Sequence, residues 1–281
     1  MLIYFKTEKE GLILAKSQEK IVTSKKPKNL EKIQKSFSSQ AGKFEKENMN
    51  FSKESFLDYT VKSMELCKSD TVLEAAAGTA ACGRAIAPFV NSVTCLDATK
   101  SMLEVGKEKA EKENLSNISF KEGLVEDIPF PDETFDIVIS RLGFHHFMDI
   151  ERPFQEMNRV LKKAGKLVII DMEAAPEELR EVQDSIETLR DNSHVKNISN
   201  EEFVELYKSN NFNIIKNETT EIEVSLEAWM ELTNTPLETK KKIKEKMKAD
   251  IRGENKTGFN PYFKGDEIHF IQRWMLVIGK K

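Results

Sequence analysis

The sequence predicts an α/β fold: a Rossmann-like, doubly wound, mostly parallel seven-stranded sheet with helices on both faces and a helical cap near the C-terminal half. Three observations predict it. Between residues 71 and 170, short apolar runs alternate with helical segments, the rhythm of parallel strands joined by crossover helices. Residues 137–139 and 167–170 are apolar without alternation, as strands covered on both faces must be. After Asp171 the rhythm breaks, helices dominate and strand candidates return late.

Taken in order, residues 2–23 hold two apolar runs that could form a hairpin, and the Lys-rich stretch 24–29 with Pro27 reads as a linker. Ser52 is a candidate N-cap for a helix with Phe56, Tyr59, Val61, Met64 and Leu66 at its apolar positions. Strands are expected at 71–75, 93–96, 118–120, 135–139 and 166–170, and helices at 82–89, 100–114 and 151–163. Further helices are expected at 176–191, 200–209, 226–232 and 237–247. Asn200 is expected to cap the second of these, with Glu201 and Glu202 in its first turn. Residues 212–224 and 269–278 complete the seven strands. The resulting division is an extension over 1–35, a core over 36–172, a cap and late strand over 173–265, and a final antiparallel strand over 266–281.

A chain of 281 residues suffices for one domain with a substantial appendage. The net charge of −4 exerts no pull on polyanions, so nucleic acid is not an expected partner. No apolar run matches a signal peptide or a membrane span. Cys67, Cys82 and Cys95 form no C-x-x-C pair. Buried thiols in a reducing cytoplasm are expected, and no metal site.

The turn after the first strand reads Val72-Leu73-Glu74-Ala75-Ala76-Ala77-Gly78-Thr79-Ala80. In open α/β sheets this is where ligands bind. A dinucleotide would need glycines so that the backbone can approach its pyrophosphate. Ala76 and Ala80 stand in such places, and Glu74 would repel phosphate. S-adenosylmethionine, with a sulfonium, an ammonium and no phosphate, fits the sign. A tight turn with Gly78 at positive φ and Glu74 solvated fits the same residues. Asp97 ends the second strand, twenty-three residues after Glu74, where an acid can accept from both ribose hydroxyls. Asp97 or Thr99 could equally cap the next helix. Met102 is placed to cover an adenine face or to serve as core.

Residues 123–136 (Gly-Leu-Val-Glu-Asp-Ile-Pro-Phe-Pro-Asp-Glu-Thr-Phe-Asp), then Arg141, His145-His146-Phe147 and Glu156-Met157-Asn158-Arg159-Val160-Leu161-Lys162, extend these signals. Together they resemble class I S-adenosylmethionine-dependent methyltransferases, in the small-molecule branch of the ubiquinone and menaquinone C-methyltransferases. The resemblance covers about residues 37–172. It implies that Glu74, Ala76 and Gly78 line the methionine half and that Asp97, with Ala98 beside it, holds the ribose. Met102, Val125 and Glu126 would surround adenine, and Arg141 would lie beside the cofactor. Alanine replaces the usual glycine at 76 and 80, Leu124 stands where Asp is frequent, and Phe44 stands where a tyrosine is usual.

Methyl transfer from a sulfonium needs alignment and a dry pocket, with a base only where the acceptor must lose a proton. His145, His146 and His194 are the candidate bases; His145 and His146 could instead be loop residues packing near the cofactor. His269 reads as structural. Trp229, Phe259, Tyr262 and Phe263 could line an acceptor pocket or be core. The Lys-rich helix over 240–248 could meet an acidic partner or a membrane, or be a solvated face. The expected function is methyl transfer to a small-molecule acceptor, with a homodimer allowed. The rivals are a catalytically silent binding module of the same fold and, against the sign of Glu74, a nucleotide-linked oxidoreductase. A nucleic-acid methyltransferase would need an Asn-Pro-Pro-aromatic motif or a basic stripe, and the sequence has neither.

Overall fold

The structure, a computed structural model, describes residues 27–43 and 54–281. The hairpin expected over 2–23, the cap at Ser52 and the Phe44 position lie outside the described residues. Five parallel strands are laid down first: β1 Thr71–Ala75, β2 Ser92–Asp97, β3 Ile118–Glu122, β4 Phe135–Arg141 and β5 Leu161–Met172. β6 (Asn213–Ser225) and β8 (Glu267–Lys280) follow, and the three-residue β7 (Tyr262–Lys264) pairs only with β8. The order is β3-β2-β1-β4-β5-β8-β6, with β8 antiparallel to both neighbours. Order reverses between β1 and β4, which opens a crevice at the strand ends there.

The unbroken apolar runs are explained by two covered faces. On β5, Leu167 and Ile169 join a core with Phe154 and Met157 of α5 (Glu151–Val160). Val168 and Ile170 join the opposite core with Cys82 and Ile86 of α3 (Ala81–Ile86). α7 (Asn200–Ser209) closes the first face, and Tyr207 donates its hydroxyl to the Val277 carbonyl at 3.1 Å. A third cluster unites α6 (Glu177–Arg190), α8 (Leu226–Leu232) and α9 (Leu237–Ile251) over the ends of β6 and β8, through Ile186, Trp229, Met247, Phe259 and Phe270. This is the cap.

Three local expectations are corrected. The helix expected to run to residue 163 stops at Val160, because Leu161 is fully buried and pairs with Phe135, and Ala164 takes φ +60°. Ser199, not Asn200, caps α7: its hydroxyl accepts the Glu202 N–H while the Glu202 carboxylate takes the Ser199 N–H. The extension boundary after residue 35 falls inside α1 (Leu30–Gln40), a helix engaged with the rest of the molecule. Lysines of α9 are largely paired: Lys240 and Lys244 reach Glu227, Lys241 reaches Glu238 and Lys248 reaches Glu245.

The seating of α3 on β1 and β2 depends on one glycine. A Cβ on Gly83 would lie 2.6 Å from Glu74 Oε2 and 2.7 Å from Cys95 Sγ. Gly→Ala inside a helix ordinarily stabilises by up to about 1 kcal/mol. Gly83→Ala is instead expected to destabilise by about 1–3 kcal/mol, as overpacking does, measured as a lowered urea midpoint at unchanged m-value. A stabilised variant would contradict this packing.

Candidate active site

The turn from β1 into α3 is built from alternating left-handed residues. Ala76, Gly78 and Ala80 have φ of +56°, +54° and +56°. For the two alanines this costs about 1 kcal/mol each, so the glycine-like backbone is kept without the glycine. Hydrogen bonds hold it: Ala77 N–H to the Leu96 carbonyl at 3.0 Å and Gly78 N–H to Asp97 Oδ2 at 2.8 Å.

Asp97 ties the two strand ends together, since its other oxygen accepts the Thr99 N–H at 2.7 Å. Asp97 thus orders the start of α4 (Lys100–Lys112), and it also lines the cavity. The Thr99 side chain makes no capping bond. Burial pushes the Asp97 carboxyl above its ordinary pKa, partly offset by these N–H donors. Each oxygen keeps a lone pair for a ligand hydroxyl.

Glu74 is 3% exposed. Its Oε2 accepts the Gly83 N–H at 2.8 Å and lies 3.6 Å from Cys95 Sγ. Burial raises its pKa to about 7, against the lowering effect of the Gly83 N–H and the positive charge of Arg141. The sequence alternative of a solvated Glu74 does not hold.

These groups open on one cavity at the carboxyl ends of the strands. Glu74, Ala76, Gly78, Asp97 and Ala98 line one wall, and Val125, Glu126 and Leu124 continue it. Arg141, His145 and His146 also line this cavity. Met102 does not reach the cavity; it is completely buried in α4 and is core. His194 does not reach it either: its side chain is sealed, and Nε2 sits 2.9 Å from Asp184 Oδ1. Among the four aromatic candidates only Trp229 lines this cavity. Phe259 is core against Trp229 and Phe270, Tyr262 bonds to Glu223, and Phe263 is exposed. His269, between Glu223 and Glu267, lies on β8 away from the cavity.

His145 and His146 sit on a short 3₁₀ turn after β4, with ring centroids 4.1 Å apart. His145 Nδ1 is 2.5 Å from Asp171 Oδ1. Burial alone would lower its pKa, but the charge and hydrogen bond of Asp171 win and raise it. Asp171 is held low by the same partner, against its own burial, with N–H donors from Phe144 and Met172. His146 is driven down to about 3 by burial, with the neighbouring His145 adding to the shift. It is neutral, and Nδ1 faces the Ser193 carbonyl at 3.1 Å.

Several contributors were not found from sequence. α1 roofs the cavity with Leu30, Ile33 and Phe37. It is latched by Asn29 to the His146 carbonyl at 2.8 Å, Gln34 to the Ala98 carbonyl at 2.8 Å, and Ser36 to Asp191 Oδ1 at 2.9 Å. The i, i+3, i+7 spacing of those apolar residues was the available signal, obscured by flanking lysines. Gln272 and Trp274 of β8 complete the far wall, and only the fold brings β8 beside β5. Three lining residues carry buried polar atoms without partners: Thr79 Oγ1, Arg141 Nε and Nη2, and Trp229 Nε1. The lining therefore offers acids with free acceptor positions and uncommitted donors in one place, a set that fits a zwitterionic nucleoside such as S-adenosylmethionine.

Comparison with known proteins agrees. The family model described as "Methyltransferase domain" matches residues 73–169. The uncharacterized methyltransferase YcgJ of Bacillus subtilis (strain 168) is 32% identical over 189 residues, 66% of this chain and 74% of that protein. The YcgJ crystal structure has a TM-score of 0.74 at 27% identity, covering 82% of this chain and 99% of that one. The demethylmenaquinone methyltransferase of Alkalihalophilus pseudofirmus is 34% identical over 116 residues, 40% of this chain and about half (49%) of that enzyme. An acid buried near the end of β1, an acid closing the second strand and these likenesses converge: the chain belongs to the S-adenosylmethionine-dependent methyltransferase family.

Proposed function

We propose that this enzyme transfers the methyl group to a small-molecule acceptor. One observation carries the reading. The acidic wall of Glu74 and Asp97 and the aromatic wall of Trp229 and Trp274 face the same cavity, roofed by α1. A roofed cavity of this kind favours a small acceptor over a chain segment of a macromolecule. The similarity to demethylmenaquinone methyltransferases, which are named for a small acceptor, supports it.

The bound cofactor supplies an electrophilic methyl on a sulfonium, and the protein supplies alignment. In this reading Glu74 meets the positive charge of the methionine half, and the Ala76–Gly78 turn holds its backbone. Asp97, beside Ala98, holds the ribose, while Val125 and Glu126 flank the adenine. Arg141 stands between the two ends of the cavity. His145 is the group able to move an acceptor proton, because Asp171 orients it and stabilises its protonated form. His146, neutral and with a pKa of about 3, is too weak a base and serves as wall. His194 is withdrawn as a base and kept as a buttress, its ring 5.7 Å from His145.

Thermal unfolding with S-adenosylmethionine, S-adenosylhomocysteine and NAD in parallel tests the cofactor end. A ligand at about 100 times its dissociation constant adds about 2.7 kcal/mol, several degrees of midpoint shift. The sulfur ligands alone should produce it, and an equal shift with NAD would contradict the site. Asp97→Ala should weaken S-adenosylmethionine tenfold or more, about 1.4 kcal/mol; unchanged affinity would sink the ribose assignment. The acceptor end is tested by release of S-adenosylhomocysteine on adding the ultrafiltrate or the retentate of a bacterial extract. Stimulation by the ultrafiltrate is expected. Stimulation by the retentate alone points to a macromolecular acceptor, and tight cofactor binding without turnover by either points to a silent module.

The His145–Asp171 pair has a pH signature. The raised His145 pKa gives stability that is complete below its ordinary 6.5 and lost as pH rises through the folded value. The depressed Asp171 pKa gives stability present above 3.8 and lost as pH falls through its folded value. Asp171→Asn should therefore cost most between pH about 4 and 6.5, on the order of 3 kcal/mol, and less once His145 has lost its proton. Urea unfolding across pH measures this; a cost that stays constant would show that the pair is not ionic.

A further inference from the structure

Arg141 ends β4, and its guanidinium lies between the turn after β1 and Trp274 of β8. In the sheet, β1 and β2 lie on one side of β4, and β5 and β8 on the other. The Arg141 Cζ is 5.3 Å from the centroid of the Trp274 ring. Trp274 belongs to β8, where it pairs with Met172 of β5. The guanidinium therefore reaches toward β8 while staying within electrostatic range of Glu74 and Cys82 on the other side.

Its Nε and Nη2 are shielded from solvent and have no hydrogen-bond partner among the described residues. Neither nearby carboxylate is hydrogen-bonded to them. Asp171 takes His145 Nδ1, the Phe144 N–H and the Met172 N–H, and Glu74 Oε2 takes the Gly83 N–H. A shielded guanidinium with no hydrogen-bonded anion is a costly arrangement. A planar fork of N–H donors stacked on an aromatic ring is the geometry that grips a carboxylate with two parallel bonds. Trp229, whose indole N–H also lacks a partner, lines the same cavity.

We propose that the methyl acceptor carries a carboxylate on a planar body, with Arg141 selecting the carboxylate and Trp274 backing the guanidinium that holds it. The proposal rests on reading this cavity as the acceptor site. The cofactor also carries a carboxylate, so the test separates the two sources.

The full chain, saturated with S-adenosylhomocysteine, is titrated with 4-nitrobenzoate and with 4-nitrobenzamide, which differ in charge but hardly in shape. Quenching of tryptophan fluorescence reports binding, because both tryptophans of the chain, Trp229 and Trp274, line the cavity. The acid should bind at least tenfold more tightly than the amide. Arg141→Gln should bring the two within about twofold, while S-adenosylhomocysteine affinity changes by less than about threefold. Arg141→Lys, which keeps the charge but not the fork, should retain part of the preference. The comparison on the native chain stands even where a variant fails to fold. Equal binding of acid and amide, or binding of neither at millimolar concentration, overturns the proposal. A tenfold or greater loss of S-adenosylhomocysteine affinity in Arg141→Gln, with the acid preference intact, overturns it in favour of the cofactor's own carboxylate. Failure of the native chain to bind S-adenosylhomocysteine is a distinct result that removes the cofactor reading and this proposal together.

Discussion

The structure is organised around a buried acid held at the tip of β1. Glu74 is nearly sealed, and its carboxylate meets the N–H of the third residue of α3. The partial positive charge of a helix N-terminus makes that place tolerable for an anion. The same contact sets the distance between α3 and the sheet, which is why position 83 has no room for a side chain. From it follow the left-handed turn over Ala76, Gly78 and Ala80, and through Gly78 the link to Asp97 on β2. Two acids are thus fixed at adjacent strand ends before any ligand arrives.

That arrangement is expensive in the free protein. With its pKa near 7 against an ordinary 4.5, the ionised Glu74 is disfavoured by about 3 kcal/mol. By linkage, this raised pKa makes the free fold more stable at low pH and less so as pH rises toward 7. Two strained alanines add to the cost. Functional sites commonly store strain that the surrounding fold supports. Here the support comes from both faces of the sheet, from the roof α1 and from the cap, whose apolar cluster seats Trp229 and Trp274. A cationic ligand beside Glu74 would recover much of that cost, so binding and folding would favour opposite charge states of one residue.

Much of this was legible in the sequence, for physical reasons that also mark where legibility ends. The five parallel strands and the crossover helices declare themselves through unbroken apolar runs and turn residues, because strands covered on both faces leave little choice of composition. Glu74, Gly78 and Asp97 are readable because they are adjacent to those strands. Met102 was ambiguous because a helix start can turn a residue to the ligand or to the core, and here it is fully buried. His194 looked like a base by residue type alone; its burial against Asp184 depends on how α6 folds back. Trp274 against the Arg141 guanidinium required the late insertion of β8 next to β5, a pairing between segments about a hundred residues apart, and Asp171 as the partner of His145 required the pairing of β4 with β5. The apolar stripe of α1 was present, but lysines on its other face made its start read as part of an extension outside the main fold.

The central claim is that Glu74 faces the positive charge of the cofactor. Calorimetry of S-adenosylmethionine binding at pH about 6, in two buffers of different ionisation enthalpy, tests it most directly. At that pH Glu74, with a pKa of about 7, is mostly protonated, and the cofactor's amine, with an ordinary pKa of about 7.7–8.0, already carries its proton. The account predicts that the native chain releases close to one proton on binding and that Glu74→Gln releases none. Binding without proton release by the native chain, or equal release by the variant, would contradict it.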